Sequence, residues 1–357
     1  MKNKLYLCLV FCAFCFTQSL RAQSWNPAVI IESLDGLGGS IGKYSSMAIV
    51  NGKPAIAFYD ETRKNLFYKI ALDSNGTAWS NIIVVDKDED VGEYASLTIV
   101  NGNPAIAYYD GSNTNLKYVR ANDVDGNTWG VPITVENTFD DFGQFASLAV
   151  VNGNPAVSFY DWSNDNLMYV RANDSNGDTW NPSITVASSG SVGSNACLAI
   201  INGNPAISYT DVTNEVLRYV RSTDADGNTW GTPLAIDVTG GYNTTLLTVN
   251  GYPAISYTNS TSSDLKYVRA SNADGSAWSN PITLDASVCE FPSMAIVNGM
   301  PAMSFYKSSG SELRYISATN IDGSAWSASM SLDAVGTVGS YTKLVLVNGN
   351  PAISYYD

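Results

Sequence analysis

The chain of 357 residues contains no histidine. That removes Ser-His-Asp and Cys-His nucleophilic catalysis and every histidine metal site. Cysteine is sparse, and three of the five, Cys8, Cys12 and Cys15, fall in the first 22 residues. The other two, Cys197 and Cys289, lie in repeat copies that should not touch, so they read as free or buried thiols rather than a disulfide. Charge is low, at 15% of residues, and leans acidic, with 19 Lys and Arg against 33 Asp and Glu. Glutamate is scarce; Glu61, Glu89, Glu93, Glu136, Glu215, Glu290 and Glu312 sit mostly in expected loops. Beyond the amino terminus, no ten-residue window carries helical periodicity and no second long apolar run occurs.

The apolar run that does exist is Leu5 to Phe16, preceded by Lys2 and Lys4 and followed by small and polar residues up to Ala22. This is the layout of a secretory signal peptide over 1–22, with cleavage expected near Ala22. The run is shorter than the roughly 20 residues a membrane span needs. Cleavage would leave 16 basic against 33 acidic residues, a net charge of −17. An exterior of that sign disfavours nucleic acid and anionic lipid, and no membrane insertion is expected. The protein is therefore expected to be secreted, extracellular or in the cell envelope.

What fills residues 23–357 is one unit written seven times. Asn-Gly-x-Pro-Ala recurs at Asn51, Asn101, Asn152, Asn202, Asn250, Asn298 and Asn348, at steps of 48 to 51 residues. Tryptophan follows six copies, at Trp79, Trp129, Trp180, Trp230, Trp278 and Trp326, and Trp25 precedes the first. In the second copy, Ala95–Val100, Asn103–Tyr109, Asn115–Ala121 and Trp129–Val135 read as strands, joined by an Asn101-Gly102 hairpin turn and two polar turn clusters. Pro104 lacks a donor on the side of the third strand, which should therefore end or bulge near Arg120. A four-stranded sheet with two apolar faces needs neighbours on both sides. The expected fold is all-β, a seven-bladed β-propeller of four-stranded antiparallel blades. Trp25–Glu32 supplies a fourth strand and Tyr341–Asp357 a first and second, so the closing blade is composite. Its third strand is missing, either because the blade is incomplete or because the chain stops short; the stop inside a repeat favours truncation.

The turn before each tryptophan reads DVDGNTW at Asp123–Trp129, DSNGDTW at Asp174–Trp180 and DADGNTW at Asp224–Trp230, with weaker copies at Asp73, Asn272 and Asn320. It resembles the Asp-box (BNR) turn of sialidase-like propellers in its Gly-to-Trp spacing. The acids stand one and three residues before glycine, whereas the family has its aspartate two before. The repeat is also similar to secreted bacterial repeat proteins carrying a SLAVVNGNPAISYYD unit, a resemblance that implies no activity. Sialidases of the family use an arginine triad, a tyrosine–glutamate pair and an early Arg-Ile-Pro segment; no Arg-Ile-Pro is present. Asp123 and Asp125 cap the turn's amides, and calcium at these and the equivalent turns is the one cofactor worth weighing.

Strand direction puts the Asn-Gly and Asp-Gly turns at one end of each blade, nearly invariant among copies. The second-to-third loops and the links between blades lie at the other end and vary. Variable loops on a rigid scaffold carry recognition. Tyr59-Asp60, Tyr109-Asp110, Tyr160-Asp161 and Asp211 end second strands there, and Trp162 is the one tryptophan outside the repeat positions. Aromatic faces stack on sugar C–H groups and carboxylates accept hydroxyl hydrogens, so these eight residues are candidate ligand contacts. The competing reading has each Tyr-Asp pair closing a hairpin, with Asp110 facing Lys117 and Asp211 facing Arg218. Arg120, Arg171, Arg221 and Arg269 read as structural ion pairs near the invariant face. Catalysis needs unlike groups at one place, and nearly every polar residue here is echoed. The balance falls on a secreted, non-catalytic binding propeller for glycans. A protein-interaction or adhesion scaffold is the alternative, and a sialidase-like glycosidase, with Asp140 and Asp141 on the variable face, is the second.

Overall fold

A computed structural model describes residues 4–9, 25–33, 40–136 and 140–357. The molecule is built of four-stranded antiparallel sheets. The first blade is β3 (Ile41–Val50), β4 (Lys53–Asp60), β5 (Asn65–Ile70) and β6 (Ile83–Asp86), after β1 (Lys4–Leu9) and β2 (Val29–Ser33). The second is β7 (Val91–Val100), β8 (Asn103–Asp110), β9 (Asn115–Arg120) and β10 (Ile133–Glu136). Strands β11–β14, β15–β18, β19–β22 and β23–β26 repeat the pattern at 142–187, 192–237, 242–285 and 289–333. Six blades are thus continuous in the chain, not the seven expected, because the seventh Asn-Gly copy supplies only β27 (Ser340–Val347) and β28 (Asn350–Tyr356). Those two strands join the other chain end in the order β2-β1-β28-β27. The third-strand place expected to be vacant is taken by Lys4–Leu9, in the segment read as a signal peptide. The expected cleavage point near Ala22 lies outside the described residues.

Local chemistry explains each blade. Asn101 and Gly102 take φ of 44° and 82°, the double positive values of a type I′ turn. Pro104 pairs with Ile99, and β9 ends at Arg120, where Ala121 N–H reaches the Pro104 carbonyl at 2.9 Å. Early in each first strand the register slips, twice in β3, β7, β11 and β15 and once in β19, β23 and β27; in β7 the slips fall between Val91 and Glu93 and between Glu93 and Ser96. Gly92 sits at φ 116°, and a Cβ there would come within 2.9 Å of the Leu66 Cα of the preceding blade.

The core lies between blades. Leu66, Tyr68 and Ile70 of one blade pack with Leu97, Ile106, Tyr108 and Val119 of the next, under Trp129. Each such side chain contributes about 1.5–3 kcal/mol by leaving water. The tryptophan of one blade meets the third-strand tyrosine of the blade before it edge-on, as in Tyr68–Trp129 and Tyr118–Trp180, each with centroids 5.1 Å apart. Trp25 takes the same place against Tyr315 at 4.9 Å. On the channel side a hydroxyl ties four of the inner strands to the next: Ser46, Ser96, Ser147 and Ser293 accept from the amides of Leu97, Leu148, Leu198 and Leu344, each at 3.0 Å. Cys197 substitutes a thiol, accepting from Leu246 N–H at 3.3 Å. Neither Cys197 nor Cys289 forms a disulfide.

Candidate functional site

The two ends of the blades differ as strand direction requires. At the invariant end, turns grip turns: Asn51 donates to Asp125 of the next blade at 2.9 Å, and Asn152 to Asp226 at 2.6 Å. The first acid of the Asp-Gly turn is consumed locally. Asp123 accepts from the amides of Asp125, Asn127 and Thr128 and from the Thr128 hydroxyl. Its oxygens face N–H donors, the opposite of the inward-facing acceptors a calcium loop presents. Asp125 is turned to Asn51 and Lys53 of the neighbouring blade. In the equivalent Asp224, burial works to raise the pKa, but the Thr229 hydroxyl and the amides of Asn228, Thr229 and Asp226 outweigh it and hold the carboxyl down at about 2. The repeated arginines are structural, chiefly through backbone carbonyls: Arg120 Nε donates to Val100 O and Nη2 to Asn101 O. Arg171–Asp226 and Arg269–Asp322 add longer ion contacts of 3.3 and 3.6 Å.

At the other end, each second-to-third loop is bonded to the link entering its blade. Gly111 N–H reaches Asp90 O, Trp162 N–H reaches Asp141 O and Val212 N–H reaches Ser191 O. The variable segments therefore share one rim. The eight candidate residues divide sharply there. Asp60, Asp110, Asp161 and Asp211 are buried loop caps. Asp60 accepts from the amides of Thr62 and Arg63 and from the Arg63 guanidinium, and Asp211 from Asn214 and from Arg218 at 2.6 Å. Asp110 caps Ser112 and Asn113, while Lys117 lies 3.6 Å from it and closer, at 2.7 Å, to the buried Asp86. Tyr59, Tyr109 and Tyr160 are buried too, and their hydroxyls donate to Asp90 (2.6 Å), Asp141 (2.9 Å) and Asp165. Burial, then the Asp165 bond, pushes the Tyr160 phenol up to about 12. Trp162 alone among the eight is exposed, at 59%.

A second aromatic set, which the strand reading passed over, faces the central channel. Seven residues before each Asn-Gly turn stand Tyr44, Tyr94, Phe145, Asn195, Asn243, Phe291 and Tyr341. All seven adopt φ between 50° and 54° and are half-buried. Neighbouring rings touch in an unbroken arc: Phe291–Tyr341 at 4.6 Å, Tyr341–Tyr44 at 5.0 Å, Tyr44–Tyr94 and Tyr94–Phe145 at 4.7 Å. Successive ring planes tilt by 35° to 54° from one another around the arc. Asn195 and Asn243 close the circle opposite. Among the described residues no protein group hydrogen-bonds either side-chain amide. Together they line a cavity of about 250 Å³.

Behind the arc, second-strand tyrosines form spokes: Tyr44–Tyr59, Tyr94–Tyr109, Phe145–Tyr160 and Tyr341–Tyr356, at 6.2 to 6.4 Å. The two asparagine blades have Thr210 and Thr258 at that place. One side of the channel is thus aromatic two layers deep and the other polar. Deeper in the cavity Lys343 replaces the hydroxyl of the stapling ring and has no carboxylate or hydrogen-bond partner among the described residues. At the rim, burial and then the charges of Asp90 and Glu61 raise the Glu93 carboxyl above its usual range. The signal for this site was in the sequence, as a repeat position seven before each Asn-Gly turn that is aromatic in five copies and asparagine in two.

No family model matches the sequence, and no curated protein does. Solved structures do match in fold. The Hadza microbial sialidase Hz136 superposes with a TM-score of 0.52 at 14% identity, over 99% of this chain and 89% of that one. A quinonprotein alcohol dehydrogenase-like protein from Bacteroides thetaiotaomicron gives 0.52 at 12%, over 89% and 68%. The NanB sialidase of Streptococcus pneumoniae gives 0.49 at 11%, over 88% and 65%. Structural neighbours thus include sialidase propellers, and what the likeness shows is the architecture: a propeller of four-stranded antiparallel blades.

Proposed function

We propose that the chain is a secreted, non-catalytic glycan-binding propeller whose ligand enters the mouth of the central channel. The observation that carries this reading is the aromatic arc from Phe291 to Phe145 facing the amides of Asn195 and Asn243, which no described residue hydrogen-bonds. Pyranose rings offer apolar C–H faces and a girdle of hydroxyls. Stacked rings on one wall and amides on the other satisfy both at once. The variable loops form the rim of that mouth, with Trp162 as their exposed contact. The buried Tyr-Asp pairs act by holding those loops in shape. The Asp-Gly turns are relatives of the Asp-box.

A lectin role fits the channel because its groups are stacking and hydrogen-bonding groups, with neither a nucleophile held by a base nor an arginine cluster. The sialidase name of a structural neighbour is consistent with a carbohydrate ligand but does not transfer its reaction. One observation favours a second reading, a glycosidase: Glu93 has a raised carboxyl beside Asp90, as a general acid requires.

A glycan array probed with the exported protein tests the proposal. Binding should be lost in Tyr44→Ala and in Asn195→Ala at unchanged fold. An empty array together with clean capture of one extracellular protein would replace the lectin by a scaffold. Turnover of aryl glycosides that Glu93→Gln abolishes would establish the glycosidase.

A further inference from the structure

Trp162 is an expense the fold has no use for. Its equivalents in other blades are Glu61, Gly111, Val212, Ser260 and Ser308, none of them aromatic. An indole left 59% exposed gives up the gain of burial and invites association. The loop backbone that carries it is pinned. The main-chain N–H of Trp162 donates to Asp141 O at 2.9 Å, and the hydroxyl of the next residue, Ser163, accepts from the Asp141 amide at 2.8 Å. The Asp141 carboxylate is fixed in turn by the Tyr109 hydroxyl, and Asp161 caps the loop at Asn164. The indole meets Tyr160 edge-on at 5.9 Å, Tyr160 meets Phe145 at 6.4 Å, and Phe145 ends the channel arc. An exposed aromatic on a preorganised loop, linked through Tyr160 to a ring that lines the cavity, has the properties of a recognition group.

From this we infer that the ligand is a chain of linked sugars rather than a single one. An end unit sits between the aromatic arc and the asparagines, and following units cross the third blade so that a later ring stacks on Trp162. The inference rests on the glycan reading above. The cavity of about 250 Å³ is small for a whole oligosaccharide. Ligand pockets run to roughly 300–1,000 Å³, so a longer chain must continue outside it. Blade three is the exit because the other blades place no aromatic at the equivalent loop position.

Titration calorimetry with ladders of cello-, chito-, xylo- and galacto-oligosaccharides, one to five units long, tests this. In the ladder that binds, affinity should climb about tenfold, the effect of one stacked ring, between the single sugar and a chain of three or four. Trp162→Ala should erase that climb while leaving the single sugar within twofold, and Trp162→Phe should restore most of it. Asn195→Ala should weaken every length alike. A flat length dependence, or a Trp162→Ala loss equal at all lengths, overturns the inference and leaves the channel site standing. Silence of all four ladders and of the array removes the glycan reading and this inference with it.

Discussion

The side-chain amide of Asn348 donates to Asn75 Oδ1 at 2.6 Å, across 273 positions of sequence. It is the same turn-to-turn contact that Asn101 makes to Asn176 one blade along, at 2.7 Å. Ser45 Oγ donating to Tyr341 O at 3.0 Å joins the same two blades inside the channel. The last repeat thus grips the first by the contacts that join internal neighbours.

If this seam is equivalent to the others, Asn348→Ala should cost about 1 kcal/mol, the worth of an ordinary hydrogen bond, and no less than Asn250→Ala does. Urea midpoints of the two variants make the comparison. A silent Asn348→Ala beside a costly Asn250→Ala would mean a ring that stands open in solution.

Lys343 interrupts a ring of hydroxyl staples. By its place in the repeat, a serine there would face the amide of Met47 as Ser46 faces Leu97. Lys343→Ser should therefore stabilise the fold by about 0.5–1 kcal/mol while taking its charge out of the cavity. A fall in the unfolding midpoint would instead show that the lysine stem packs the channel wall.

Acid should attack the Asp-Gly turns first. The Asp224 carboxyl sits at about 2 in the fold, against roughly 3.9 for free aspartate. A depressed carboxylate contributes stability that is fully present above the unfolded pKa and is lost as pH falls through the folded one. Midpoints measured from pH 5 to pH 2 should drop steeply below about pH 4, and Asp224→Asn should be less stable at neutral pH but flatter across that window.

Export with cleavage near Ala22 would withdraw β1 from between β28 and β2. Amino-terminal sequencing of the exported protein should read Gln23 first. Hydrogen exchange should then show β28 amides exchanging faster than those of β8, its counterpart in a blade whose third strand is intact. Equal protection would mean that another segment occupies the place of β1.

Much of the scaffold was legible because its devices are local. Asn-Gly fixes a turn with no help from elsewhere, and Pro104 foretells where β9 stops. Trp25 announces a fourth strand ahead of the first copy. The blade count was less legible: the seventh copy writes two strands, and nothing in its own residues says that Lys4–Leu9 lies beside them. The Tyr-Asp pairs were placed on the surface because they end strands beside variable loops. Second strands lie inside their sheets, however, with a strand on either side and a blade on each face, so Tyr59 and Asp60 are covered. The channel arc escaped notice for a different reason. Two register slips, one across Gly42 or Gly92 and one just after, destroy the two-residue alternation that would have marked Tyr44 and Tyr94 as facing one way.

Each staple, socket and edge-on tryptophan in the ring is answered by an adjacent blade and by nothing farther away. A change at one rim loop is consequently shielded from its fellows, and copies of the unit can drift apart in surface chemistry while sharing one mechanical frame. Such a frame lets a lineage retune its grip one segment at a time, as the paired asparagines of neighbouring blades already illustrate.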